Sequence, residues 1–167
     1  MPSTSPGRPY SDAYLLAYSD EHLFYECDMF LWLARVCGQG TKLGAPSAAD
    51  ATRMSNVLIE GFVVHLRNVI GFLYLDNPKK TDVVAADFCT TGTWVAARPA
   101  ISATLESARI RANKEIAHLT TDRITGSPPA KAWGFAALAV EIRPILQLVV
   151  NHAVAGRLSP RVSAVIR

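Results

Sequence analysis

Arg111 and His118 are the two side chains best suited to chemistry in this sequence, and they lie seven positions apart in the stretch RANKEIAHLTT, Arg111 to Thr121. On an α-helix that spacing is roughly 20° short of two full turns and ~10 Å along the axis, so both point the same way. A histidine moves a proton near neutral pH, and an arginine holds the negative charge that develops on a phosphate. Cleavage of RNA through its own 2′-hydroxyl needs those two roles. Glu115 falls between them, slightly nearer the apolar face, and Lys114 falls on the solvent side. Asn113 projects to the far side and stands apart from the pair. The plainer alternative is that Arg111 pairs with Glu115 at i, i+4 while His118 caps a neighbouring loop.

The helix that must position them runs from Pro99, suited to a first helical turn, to about Arg123. Ile101, Leu105, Ala108, Ala112, Ile116 and Leu119 recur on it as one narrow stripe, the face to be buried. Arg111 and His118 lie just beside that stripe, at a boundary where a cleft or partner surface is expected. From Arg98 to Lys131 there are six basic residues against three acidic ones, so the whole net charge of +3 is carried there. That bias suits an anionic ligand such as RNA or a nucleotide. Cations drawn to the last turns of a helix give the same pattern.

An arginine and a histidine a short gap apart, on a helix of an all-helical chain, resemble the motif of HEPN domains. The resemblance covers this one helix, within a general helical layout over about Ser11 to Asn151. HLRNVIGFLY and NKEIAHLT are also similar in style to bacterial HEPN-like proteins related to abortive-infection systems. The resemblance implies a metal-independent endoribonuclease, toxin-like, with Arg111 and His118 as its catalytic residues and no cofactor. It also implies a homodimer in which two such helices face each other, and an antitoxin protein as a partner. Two departures stand out: the gap is at the long end for the motif, and the arginine is followed by Ala112 where the family has a polar residue. Ala112 favours the alternative, a non-catalytic helical module that binds a nucleotide, RNA or a protein partner.

The preceding long helix, Ser47 to about Leu75, has Leu58, Phe62, Leu66, Val69 and Leu73 as its stripe, widened on both flanks by further apolar residues. So apolar a circumference predicts a central position. His65 and Asn68 lie where they could face the Arg111 helix and are further binding candidates, His65 alternatively being a core-edge histidine bonded to a carbonyl. Trp32, Phe72 and Trp133 are expected to form an apolar surface for dimerisation.

Elsewhere the pattern is helical too. Ser11 to Cys37 reads as helix, broken near Ser19 as an N-cap, and Gly38 to Pro46 as a turn. Asp76 to Arg98 is irregular, with a short helix over Thr81 to Phe88 and with Phe88 and Trp94 packed over the end of the bundle. A last long helix is expected from Ser127 as cap and Pro128, kinked by Pro144 and ended by Gly156, with a short one after it. The expected fold is all-α, a four-helix bundle with short accessory helices. Residues 1–10 form a loose tail and residues 11–167 a single domain.

Half of the residues are hydrophobic, which excludes wholesale disorder. Cys27, Cys37 and Cys89 make an odd count without metal-ligand spacing, so neither a disulfide framework nor a metal site is expected, and a reducing cytoplasm fits. Glu115 and His118 form one E-x-x-H, but di-iron bundles need a second such pair. No apolar run approaches the ~20 residues of a membrane span, and the N-terminus lacks an apolar export segment. GQGTKLG has no GK[ST] ending, which removes the phosphate-loop route to nucleotides.

Overall fold

The computed structural model describes residues 10–40, 44, 47–115 and 132–167, with the side chain of Glu115 left aside. Among these the chain is all-α, a helical bundle without strands, its one β-bridge joining Cys89 to Ala153. The helices are α1 (Asp12–Tyr18), α2 (Phe24–Gly38), α3 (Ala48–Tyr74), α4 (Ala85–Phe88), α5 (Thr93–Ala97), α6 (Ala103–Glu115), α7 (Phe135–His152) and α8 (Pro160–Ile166).

Caps set most of the starts. Ser11 accepts from the Tyr14 amide at 3.2 Å, Ser47 from Asp50 at 3.1 Å, and Ser159 from Arg161 at 3.2 Å with Pro160 next in line. Ser19 behaves differently from a cap. The helix does not stop there but widens into a π turn over Ser19–Leu23 and continues as α2. The Ser19 hydroxyl is buried, donates to the Leu16 carbonyl at 2.9 Å and accepts from the Ser159 amide at 2.9 Å. It fastens the start of α8 rather than opening a helix.

Two other boundaries move. Ser102 accepts from the Leu105 amide at 3.1 Å, so α6 begins at Ala103 and not at Pro99. Residues 127 and 128 lie outside the described residues, but α7 begins only at Phe135, after a non-helical segment over residues 132–134. The short helix foreseen over Thr81 to Phe88 contracts to α4, where the Asp87 carboxylate accepts from the Val84 amide at 2.8 Å. Phe88 and Trp94 are buried as expected, and the Trp94 indole donates to the Leu73 carbonyl at 3.2 Å, closing the end of α3.

The core runs along α2, which packs against α3, α7, α8 and the π turn. α3 packs on α2 and α6, but its burial starts at Phe62, and no residue of its first three turns is buried among the described residues. The apolar arc of α3 is therefore fully buried only in its C-terminal half, with Leu58 and Ile59 partly buried before it, and α2 is the hub. By length and composition α3 could cross a membrane, and half of its most apolar stretch is buried inside the protein.

Candidate binding surface on α6 and α3

α6 buries Leu105, Ala108 and Ala112, one per turn, as the stripe requires. Ala112 is 0 % exposed. A polar side chain at this position would enter the core unpaired, so the packing of α6 calls for a small apolar residue here.

Arg111 stands beside that stripe, half-buried. Its guanidinium lies over the Trp133 ring, Cζ 4.0 Å from the centroid, and donates to the Ala132 carbonyl at 3.1 Å. Trp133 in turn meets Phe62 edge-on at 6.4 Å, and Phe62 meets Phe135 at 4.9 Å and Phe30 at 5.7 Å. Arg111 is thus the outer layer of an aromatic stack that reaches into the core. It fastens the 132–134 segment to α6, and its plane is fixed by stacking.

Asn113 goes to the opposite side, as its position predicts, and accepts from Arg67 Nε of α3 at 2.6 Å. Lys114 is exposed on α6. His118 and the side chain of Glu115 lie outside the described residues, and with them the Arg111–His118 pair and the E-x-x-H spacing.

His65 and Asn68 do not turn to α6. His65 is buried with Nδ1 2.7 Å from Oε2 of Glu26 on α2, and Asn68 Nδ2 donates to the same oxygen at 3.2 Å. The Tyr25 ring meets the imidazole edge-on at 5.3 Å. The partner of His65 is therefore a carboxylate, not a carbonyl. A carboxylate oxygen only accepts, so Nδ1 is the donor in this pair. The sequence reading missed Glu26, although a signal existed: it is spaced three after Leu23 and four before Phe30, on the face of α2 that enters the core.

The apolar dimerisation surface is not assembled as expected. Phe72 is buried against Phe88, and Trp133 is half-buried between Arg111 and Phe62; Trp32 alone of the three is exposed. The three cysteines are free thiols, and burial pushes Cys27 up to about 12 and Cys89 to about 11. Among the described residues no three His, Cys, Asp or Glu side chains group as a metal site would require.

The fold and these contacts define an all-α protein with an arginine-capped aromatic stack and a carboxylate-paired histidine on separate faces. Set against known proteins, the chain matches no family model, no curated protein and no solved structure.

Proposed function

We propose that this chain is a HEPN-like helical module that binds an anionic partner, RNA or a nucleotide, without cutting it. In this reading α2, α3, α6 and α7 form a four-helix bundle, two copies pair, and the protein works in a reducing cytoplasm. The observation that carries it is the seat of Arg111. A guanidinium stacked on Trp133 and bonded to the Ala132 carbonyl holds two parts of the fold together, and a fixed guanidinium plane is well suited to phosphate recognition. Ala112, wholly buried, supplies no second polar group beside it. Lys114, exposed one turn on, adds positive charge to the same helix.

The same preorganised guanidinium also favours a second reading, in which Arg111 steadies phosphate charge, His118 moves the proton and the chain is a toxin-type endoribonuclease countered by an antitoxin. One experiment separates the two. RNA cleavage, RNA retention on a gel and growth toxicity are measured for the wild type, Arg111→Ala and His118→Ala. Binding without cleavage, with the slope of log affinity against log salt reduced by about one in Arg111→Ala, is the expected result. Cleavage by the wild type that both folded variants lose by about 10²-fold or more establishes the nuclease instead. Neither retention nor cleavage of any RNA overturns both.

A further inference from the structure

A second surface lies away from Arg111, where the segment after α5 passes between the end of α3 and α7. Two crevices meet there, sharing Tyr74, Pro99 and Ala100 as a common wall. The first, about 320 Å³, is polar, but its cations are already used. Arg98 donates to Asp76 at 2.8 Å and to the Leu73 carbonyl at 3.1 Å, and Arg109 holds Glu106 through two bonds of 2.6 and 2.9 Å. Two cations against two carboxylates leave no net charge on that side.

The second crevice, about 370 Å³, is apolar, walled by Leu105 of α6 and by Ile145 and Leu148 of α7. That size is within the range of small-molecule sites, roughly 300–1,000 Å³. Two of its lining groups lack the partners their burial calls for. Tyr74 is 7 % exposed, and its hydroxyl is the one buried side-chain polar atom without a hydrogen bond among the described residues. Glu141, half-buried on α7, makes no hydrogen bond or ion pair with a described residue. The two are close enough to feel each other: burial pushes the Tyr74 phenol up, the Arg98 charge opposes this, and the Glu141 carboxylate adds to it.

An apolar slot with one unpaired carboxylate and an unsatisfied phenol is complementary to one kind of ligand. An apolar body removes Leu105, Ile145 and Leu148 from water. An ammonium head supplies donors that the Glu141 carboxylate and the Tyr74 oxygen can accept. An anionic ligand would meet Glu141 with no free cation to offset it. We infer that the crevice between α6 and α7 is a binding site for a small amphipathic amine, its ammonium held by Glu141 and its apolar body lodged against Leu105 and Ile145.

The test uses phenethylamine, with phenethyl alcohol as the neutral match and hydrocinnamate as the anionic one, titrated into the whole protein and followed by amide and methyl NMR. Phenethylamine is expected to shift the signals of Leu105, Ile145 and Leu148 saturably, in the millimolar range proper to so small a ligand. The alcohol is expected to bind about tenfold more weakly, and hydrocinnamate not at all. Glu141→Gln should cost about tenfold for the amine and nothing for the alcohol. Amine and alcohol binding equally well, shifts that do not saturate, or shifts away from α6 and α7 would overturn the inference. The amine-against-alcohol comparison is made on the unaltered protein, so it decides the matter even if the variant folds poorly.

Discussion

Nδ1 of His65 sits 2.7 Å from Oε2 of Glu26, joining α3 to α2 across thirty-nine positions of sequence. Asn68 shares the same oxygen, so one carboxylate satisfies a buried imidazole and an amide together. Glu26→Ala is expected to cost roughly 1–3 kcal/mol, because it leaves His65 buried without its partner. Glu26→Gln, which keeps an acceptor oxygen, should cost less. Urea unfolding of both variants measures the difference, and equal midpoints for Glu26→Ala and the wild type would sink the account.

Arg111 predicts a stability effect independent of any activity. Arg111→Ala removes the stack over Trp133 and the bond to the Ala132 carbonyl, a loss of about 0.5–2 kcal/mol. Arg111→Lys keeps the charge but not the planar stack or the fork of donors, and is expected to fall between. Thermal melts rank the three proteins, and the near-ultraviolet circular dichroism of Trp133 should change in both variants.

At Ala112 the expectation is steeper. Ala112→Asn would put a polar residue after Arg111, but it places an amide where the native side chain is 0 % exposed. Overpacking and an unpaired polar group together should cost about 2–4 kcal/mol. Chemical denaturation reads this directly; a variant as stable as the wild type would mean that α6 does not bury this face.

The thiols give a pH dependence whose sign is determined. Burial, and after it the charges of Glu26 and Asp28, push Cys27 up to about 12 from an ordinary 9.0. Above pH 9 the unfolded chain has released this proton while the folded chain keeps it, so the stability this implies is fully present below that point and is lost as the pH rises towards 12. Cys27→Ala should flatten the decline in stability measured on the alkaline side. By the same burial, iodoacetamide at mildly alkaline pH should modify Cys37 well before Cys27 and Cys89, as mass spectrometry of timed samples would show.

Local physics was legible in the sequence. The all-helical class, the span of α3 from its Ser47 cap, a short helix after Gly156 and the buried stripe of Leu105, Ala108 and Ala112 all follow from capping and from periodicity. Both act within a few residues of chain. The burial of Phe88 and Trp94 followed from having large rings in a linker that must cover a helix end. Periodicity names the buried face of a helix but not the neighbour that covers it. Only the tertiary structure could turn His65 and Asn68 toward Glu26 rather than toward α6, seat Arg111 on Trp133, and make α2 rather than α3 the hub. Ser19 has the residue type of a cap, yet it was decided by a segment far along the chain: its hydroxyl is held by the Ser159 amide, and the helix passes through it as a π turn. In each case the deciding contact joins residues about twenty to a hundred and forty positions apart, a separation at which packing, not sequence spacing, selects the partner.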